Sequence, residues 1–522
     1  NKYIKSIIKK AIEGTNIDEF LPNEVLNDFN FEKRNLSIRQ IHMPNTKQDI
    51  QDAISRLGFE ELLLLHLKGM KLRTEWNKKL NSHQIHLADK GFKQFIKSLP
   101  FPLTNAQNRV ISEMIDDLNG DSPMNRLIQG DVGSGKTVVT AAGLLACARS
   151  GFNTIYLAPT QVLANQHYKT LNKLLGKHGV STHLITGVEK DFQLSDKPHI
   201  VIGTHAILYH LDKFSNVGLI VIDEQQKFGV SQRTQIVEYF SSHGESSSQI
   251  PNLLTTTATP IPRSLALTFY GDLDLSVIDE LPPGRKPVET WVIQESKRAA
   301  AYKWIEEKVE QDNIQVFVVC PFIDPSDSEA FQNVKSAENE FARLKKVFGN
   351  FSVGLLHGRL KSDEKEEIIN NFSKGDIDIL VTTPVIEVGV DIPNAGIILI
   401  ETAERFGLAS LHQLRGRVGR DKKQGSCILI PSESSKSGIA RLKNMGKIND
   451  GAKLAEIDLK IRGPGNMYGE EQHGFMKLRI ADITDLNMLK KTKETAESIF
   501  QNLKKYPKME EKLNMVQYIE DN

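Results

Sequence analysis

Cysteine and long apolar stretches are scarce in this sequence. Three cysteines occur among 522 residues, at Cys147, Cys320 and Cys427, and each is isolated within an apolar stretch. This scarcity argues against a disulfide framework and against a thiolate zinc site, so we expect small buried core residues in a reducing cytosol. No apolar run approaches the roughly 18 residues of a membrane-spanning helix, which argues against a membrane protein.

An excess of charge of either sign is also absent. The 66 Lys and Arg residues and the 65 Asp and Glu residues leave a formal net charge of +1. This balance argues against a protein that coats nucleic acid by bulk attraction, but it does not exclude a local basic track. Candidate tracks lie at residues 71–79, 415–423 and 490–493, although each pattern by itself is more often a solvated helix face.

A glycine-rich octapeptide provides the first chemical signal. It fits the phosphate-binding pattern G-x-x-x-x-G-K-[ST], in which glycines allow backbone N–H groups to surround phosphates. A predicted strand at 125–129 and a predicted helix at 138–148 supply the context that this pattern requires. We expect Lys136 to reach the β- and γ-phosphates and Thr137 to hold Mg²⁺. The octapeptide consists of Gly130, Asp131, Val132, Gly133, Ser134, Gly135, Lys136 and Thr137.

The order of apolar segments predicts an α/β fold with two tandem parallel-sheet domains. Residues 1–98 are rich in helix formers and predict a helical brace. Short apolar strands alternate with helices over 99–283 and again over 284–432, with a turn-rich linker at 282–287. Residues 433–522 predict a smaller C-terminal domain. Since the second α/β series has no phosphate loop, we expect it to contribute other groups to the first.

Two acids end a predicted buried strand of the first domain. The apolar segment 219–222 leads directly into Asp223 and Glu224, which places both carboxylates at the sheet edge where open α/β sheets bind ligands. We expect Asp223 to complete the Mg²⁺ shell with Thr137, and Glu224 to orient and deprotonate the attacking water. A strand end that is merely capped by acids is the alternative.

An arginine-rich segment in the second domain predicts the other half of a nucleotide site. Arg417 and Arg420 are three residues apart on a predicted helix face, and Gln413 precedes them. Arginines that reach a transferring phosphate stabilise the charge of the transition state, and Gln413 would contact the γ-phosphate or the water. ATP would then draw the two domains together, and hydrolysis would release them. A basic helix that only binds DNA phosphates is the competing interpretation.

These segments belong to an ordered series of motifs. The series comprises Gln107, 130–137, 158–160, 203–205, 223–226, 257–259, 357–359, 383–391 and 413–420, with further specific strings at 228–230, 258–267, 270–274, 280–287, 404–408 and 458–465. The series resembles superfamily 2 helicases with RecA-like domains, and the further strings resemble the RecG family of bacterial branch-migration helicases. The resemblance covers nearly the whole chain.

The resemblance implies roles for residues outside the two phosphate-handling segments. Gln107 would read adenine and Asp391 would lie near the ribose. Contacts with the nucleic-acid backbone are implied for Thr160, Thr204, His357 and Thr383. The segment from 458 to 482 is similar to a translocation motif that converts cleft closure into movement of a DNA-contacting element. Its implied coupling residues are Arg462, Gly463, Gln472 and Phe475.

The resemblance also implies an activity. It implies an ATP- and Mg²⁺-dependent translocase on double-stranded DNA, with 3′–5′ polarity, that regresses stalled replication forks and migrates Holliday junctions. The implied partners are branched double-stranded DNA and single-stranded-DNA-binding protein, and the implied state is a cytoplasmic, nucleoid-associated monomer.

Three departures from the family pattern limit what the resemblance implies. The family has an N-terminal wedge that splits the fork, and nothing before Asn1 supplies it, so we expect a preceding segment to be missing. Gln226 stands where the acidic box usually ends in histidine, and we expect the metal and base chemistry to stay intact. The segment 186–196 is short where relatives insert a helix.

Two other functions compete with a RecG-type helicase. One is a transcription-repair coupling translocase, against which the strings at 270–274 and 282–287 argue. The other is a nucleotide-gated DNA-binding scaffold without turnover. The intact set of Lys136, Asp223, Glu224, Arg417 and Arg420 argues against that scaffold.

Overall fold

The computed structural model describes most of the chain. The described residues are 2–15, 17–78, 80–81, 85, 89–185, 197–228, 230–243, 249–260, 262, 265–266, 268, 270–321, 327–384, 392–419, 424–432, 436–462 and 478–515. Within these ranges, no helix is both long and apolar enough to cross a bilayer.

Helices form the N-terminal region. They are α1 (Lys2–Glu13), α2 (Asn23–Asp28), α3 (Arg34–His42), α4 (Lys47–Asn77) and α5 (Asp89–Ser98), with the short strand β1 (Leu80–Asn81) before α5. Helix α4 has 31 residues and is therefore about 46 Å long. It begins at a capping box, because Thr46 and Asp49 each accept a hydrogen bond from the other's backbone N–H. Its leucines at helical spacing, Leu63 and Leu67 among them, are buried in an apolar core.

A seven-stranded parallel sheet forms the first α/β unit. Its elements and the pieces between them are α6 (Asn105–Leu118), β2 (Asn125–Gly130), α7 (Lys136–Arg149), β3 (Asn153–Leu157), α8 (Gln161–Leu175), β4 (Ser181–Ile185), β5 (His199–Gly203), β6 (Val217–Ile222), α9 (Val230–His243), β7 (Gln249–Ile250), β8 (Asn252–Thr257) and β9 (Asp274–Ile278). The strand order is β4-β5-β3-β6-β8-β2-β9, and β7 pairs with β1 instead. Every residue of β6 is buried, as expected for a central strand covered on both faces.

A six-stranded parallel sheet forms the second unit. Its elements are β10 (Glu289–Val292), α10 (Arg298–Asp312), β11 (Gln315–Val319), α11 (Asp327–Val347), β12 (Val353–Leu356), α12 (Ser362–Lys374), β13 (Ile379–Thr382), β14 (Ala395–Glu401), α13 (Leu408–Arg415) and β15 (Ser426–Ile430). The strand order is β10-β15-β14-β11-β13-β12. The predicted pair of parallel-sheet α/β domains is confirmed.

Four further helices complete the described chain. They are α14 (Lys436–Lys447), α15 (Gly451–Arg462), α16 (Leu486–Gln501) and α17 (Pro507–Met515). Helix α16 packs along α4, so the C-terminal end of the chain returns to the N-terminal helices. The exact domain boundaries stay predictions.

The three cysteines lie in the core. Cys147, Cys320 and Cys427 are buried free thiols, as the sequence predicts. Burial raises the pKa of Cys427 to about 12. These side chains are therefore packing groups and not nucleophiles.

Candidate active site

The phosphate-binding octapeptide joins the end of β2 to the start of α7. Gly133 and Gly135 have φ angles of +77° and +91°, a region that residues with a Cβ rarely adopt. Lys136 Nζ donates to the carbonyl oxygens of Gly130 at 2.7 Å and Asp131 at 3.1 Å. Burial lowers the pKa of Lys136, although the nearby Glu224 and Asp223 favour its charged form. The loop thus holds the lysine over its own backbone, and the contact of Lys136 with the β- and γ-phosphates stays a prediction.

Gln107 belongs to the support of this loop. Its side-chain oxygen accepts from Thr104 N at 2.9 Å, which completes a capping box at the start of α6. Its amide nitrogen donates to the Ser134 carbonyl at 2.7 Å. Gln107 is only 1% exposed. Its amide is therefore engaged with protein groups here, and the adenine contact stays a prediction.

Asp223 follows β6 and is surrounded by partners. Its Oδ2 lies 2.8 Å from His167 Nε2 on α8, and its Oδ1 accepts from the Thr256 hydroxyl on β8. Burial alone would raise the pKa of Asp223, but the charge of His167 and the hydrogen bonds from His167 and Thr256 lower it below its usual value. The carboxylate is therefore ionised. Sequence reasoning missed both partners, because His167 lies among other polar residues of α8 and gives no local signal.

Glu224 begins the turn after Asp223 in the left-handed backbone region, with φ of +52°. Gln226 Nε2 donates to its Oε2 at 2.7 Å, and Ala258 N donates to the same oxygen at 3.2 Å. Gln226 Oε1 in turn accepts from the Thr257 hydroxyl at 3.0 Å. Gln226 therefore links the proposed base to the end of β8.

Two oxygen donors of this site suit a divalent cation. Thr137 lies in the first turn of α7, and Asp223 is an ionised carboxylate in electrostatic contact with Lys136 at the loop. Hydroxyl and carboxylate oxygens are hard ligands of the kind that Mg²⁺ takes beside nucleotide phosphates. The residues present therefore fit this ion.

The second domain faces the phosphate loop. We call the space between them the cleft, with the phosphate loop as one wall and α13 and the turn after it as the other. Gln413 lies in α13, which ends at Arg415, and Gly416 then turns the chain. Arg417 therefore lies in a turn and not on a helix face, so the predicted helical placement of Arg417 is wrong. Arg417 is 3% exposed. Burial is the main cause of the lowered pKa of Lys136, and the positive charge of Arg417 lowers this pKa further. Asp391 and Arg420 lie outside the described residues.

The two walls touch each other directly. His412 Nε2 on α13 lies 3.1 Å from Asp131 Oδ1 in the phosphate loop. A Cβ at Gly416 would lie 2.9 Å from the Val132 Cβ, so glycine permits this close approach. Asn165 donates to Glu366 at 3.3 Å elsewhere along the cleft. The domains therefore meet around the phosphate loop.

Four residues with an implied nucleic-acid contact follow the carboxyl ends of strands. Thr160 and Thr204 follow β3 and β5, where their hydroxyls accept from Leu163 N at 3.3 Å and from Ala206 N at 3.5 Å. His357 and Thr383 follow β12 and β13 and are 9% and 1% exposed. Each pair lies on neighbouring parallel strands, and the nucleic-acid role of all four stays a prediction.

Comparison with known proteins identifies relatives of this chain. Family models match at residues 104–268 for the DEAD/DEAH box helicase, 297–422 for the helicase conserved C-terminal domain and 448–520 for domain 3, C-terminal, of ATP-dependent DNA helicase RecG. ATP-dependent DNA helicase RecG of Bacillus subtilis (strain 168) is 37% identical over 510 residues, which are 95% of this chain and 73% of that protein. The chain belongs to the RecG family.

Other RecG proteins are similar over the same region. RecG of Thermotoga maritima is 41% identical over 515 residues, which are 95% of this chain and 64% of that protein. The chain thus spans slightly less than two thirds of that relative. A structure of RecG bound to a three-way DNA junction has a TM-score of 0.75 at 36% identity and covers 95% of this chain and 64% of that chain.

Helices α14 and α15 are attached to α13, the helix that precedes the arginine-bearing turn. Arg415 donates to the carbonyl oxygens of Met445 at 2.7 Å and Ile448 at 3.1 Å. Asp458 on α15 is fully buried and accepts from Leu408 N and from Arg441 Nη1, both at 2.7 Å. Arg415 was part of a candidate basic track, and its burial among carbonyls corrects that interpretation. It connects helices instead.

The described ends of the segment 458–482, for which the resemblance implies a translocation role, are held by helices. Arg462 ends α15, whereas Gly463, Gln472 and Phe475 lie outside the described residues. On the far side, Glu61 Oε2 on α4 accepts from Ile480 N and Ala481 N at 2.9 Å each.

An apolar cluster joins α4, α15, the first sheet unit and the segment after residue 477. Its buried members are Leu62, Leu265, Ala266, Leu459, Ala481, Ile483 and Leu489. Sequence reasoning missed Glu61 and this cluster.

Proposed function

We propose that this chain is an ATP-dependent translocase that moves on branched double-stranded DNA, regressing stalled forks and migrating Holliday junctions. One observation carries the proposal: the phosphate loop of one domain meets α13 of the other, directly before the turn that bears Arg417, at Asp131 and His412. A nucleotide bound there would contact both domains, so its hydrolysis would change their relative position.

The first domain would bind the nucleotide and activate water. Backbone N–H groups of residues 130–135 would surround the phosphates, and Lys136 would reach the β- and γ-phosphates. Thr137 and Asp223 would hold Mg²⁺, which neutralises charge on the phosphate oxygens when bound. Glu224 would accept the proton of the attacking water, because Gln226 and Ala258 N fix its carboxylate.

The second domain would stabilise the transition state. Arg417 and Arg420 would approach the γ-phosphate, and Gln413 would orient the phosphate or the water. The close approach of Gly416, the residue before Arg417, to Val132 of the phosphate loop supports this placement for the first of the two arginines. Gln107 would contact adenine and Asp391 the ribose.

The DNA-facing roles rest on the family and on the strand ends. Thr160, Thr204, His357 and Thr383 would contact the DNA backbone. The coupling residues would be Arg462, Gly463, Gln472 and Phe475. The RecG structure on a three-way junction supports branched DNA as the substrate. We further propose a cytoplasmic, nucleoid-associated monomer with 3′–5′ polarity that meets single-stranded-DNA-binding protein at forks.

ATP hydrolysis in the presence of different nucleic acids tests this proposal. The 522-residue chain is mixed with a model fork, a four-way junction, plain duplex or RNA, and phosphate release is followed. We expect the two branched DNAs to stimulate most. Preference for RNA, or no stimulation by any DNA, would contradict the proposed function.

The matched variants are Lys136→Ala at the phosphate loop and Lys173→Ala on the exposed face of α8. Lys136→Ala is expected to reduce hydrolysis to background while fork binding persists, because the ammonium reaches phosphate and not DNA. Lys173→Ala should match the wild type. Normal turnover in Lys136→Ala would refute the nucleotide site.

A further inference from the structure

The linker between the two sheets brings a third arginine to the nucleotide cleft. Gly284, with φ of +88°, forms a turn in which Arg285 N donates to the Pro282 carbonyl at 3.4 Å. The turn directs the partly buried side chain of Arg285 toward the cleft, whereas the next residue, Lys286, is exposed.

One guanidinium spans the two walls of the cleft. Arg285 Nη1 donates to the Val132 carbonyl in the phosphate loop at 2.6 Å, and its Nη2 donates to the Gly416 carbonyl at 3.4 Å. Gly416 immediately precedes Arg417. A Cβ at Gly133 would lie 1.8 Å from Arg285 Nη1, so the side chain lies directly against the loop backbone.

These contacts use acceptors that the nucleotide does not need. A phosphate loop holds its ligand with N–H groups, and Arg285 takes the carbonyl oxygens of Val132 and Gly416. The planar fork of arginine can hold two acceptors at a fixed angle, whereas a lysine ammonium is a single point donor. Arg285 therefore fixes the distance between the loop that binds phosphate and the turn that carries Arg417.

We propose that Arg285 is a positioning residue for ATP hydrolysis, which aligns Arg417 with the phosphate loop and does not itself bind nucleotide. The proposal rests on the proposed function. A misplacement of about 1 Å at a reacting centre can lower a rate by about 100-fold. Loss of Arg285 should therefore act on turnover more than on ATP affinity.

Steady-state ATP hydrolysis with a saturating model fork tests the proposal in four proteins: wild type, Arg285→Ala, Arg285→Lys and Lys286→Ala. The last variant removes the same charge from the same linker at an exposed position. We expect Arg285→Ala to lower kcat by about tenfold or more, with KM for ATP changed by less than about threefold. Arg285→Lys should give an intermediate kcat, and Lys286→Ala should match the wild type.

Two outcomes would overturn the proposal. Equal kcat in Arg285→Ala and Lys286→Ala would show that the linker arginine does not position the site. A raised KM with unchanged kcat in Arg285→Ala would make Arg285 a direct phosphate ligand instead. A wild-type chain without DNA-stimulated hydrolysis would count against the proposed function itself. Thermal unfolding of each variant identifies any loss of rate that comes from misfolding.

Discussion

Replacement of Gln226 by alanine should slow ATP hydrolysis about tenfold. The amide of Gln226 donates to Glu224 at 2.7 Å and accepts from Thr257 at 3.0 Å. A hydrogen bond to a charged group contributes about 1.5–3 kcal/mol, and the half-buried position of Gln226 favours the lower value. Since about 1.4 kcal/mol corresponds to a factor of ten in rate, a poorly oriented Glu224 lowers kcat by about that factor.

The assay is fork-stimulated phosphate release at saturating ATP. Gln226→His restores a donor and an acceptor on one ring, so we expect most of the rate to return. Lys227→Ala is the matched control, because Lys227 lies exposed in the same turn. If Gln226→Ala keeps its rate within about twofold of the control while folded, the amide does not orient Glu224, and the reasoning from this hydrogen bond fails.

Two further predictions concern the translocation segment and the core. Glu61→Ala removes the acceptor of Ile480 N and Ala481 N, so we expect branch migration in a gel assay to slow by about tenfold while fork-stimulated hydrolysis changes by less than about twofold. Glu75→Ala, at an exposed position of the same helix, is its control, and equal migration by both would refute the anchoring role. Burial raises the pKa of Cys427 to about 12 and raises those of Cys147 and Cys320, so the thiols stay protonated at pH 8. We expect a thiol-reactive disulfide reagent to label none of the three in the native chain and all after denaturation, and labelling of the native chain would contradict the burial.

The fold was largely predictable because its central strands are continuous apolar runs. The alternation predicted over 99–283 and 284–432 is realised in such strands as β6 and β14, in which every residue is buried. The edge strands β4 and β10 were missed because partly exposed residues give them polar or mixed sequences. The helical placement of Arg417 was wrong because Gly416 ends α13, and a glycine between two arginines is compatible with either conformation from sequence alone.

The candidate site was predictable only where its chemistry is local. Lys136, Asp223 and Glu224 follow from short motifs in which neighbours in sequence are neighbours in space. His167 lies 56 positions from Asp223 in the chain, and Arg285 lies 153 positions from Val132. Such contacts depend on strand order and on domain approach, which no local pattern specifies.

Helix α15 has two faces that should respond differently to force. Asp458 holds one face to α13 and α14 through directional hydrogen bonds from Leu408 N and Arg441, whereas the adjacent Leu459 belongs to the apolar cluster that includes Leu62 of α4. Apolar contact is non-directional, so packed helices can slide by small shear displacements while hydrogen-bonded partners move as one body. A motion of the second domain would then move α15 through the hydrogen bonds of Asp458. The same motion would displace Leu459 relative to α4. Helix α15 would then move with α13 and α14 on its hydrogen-bonded face and shift relative to α4 on its apolar face.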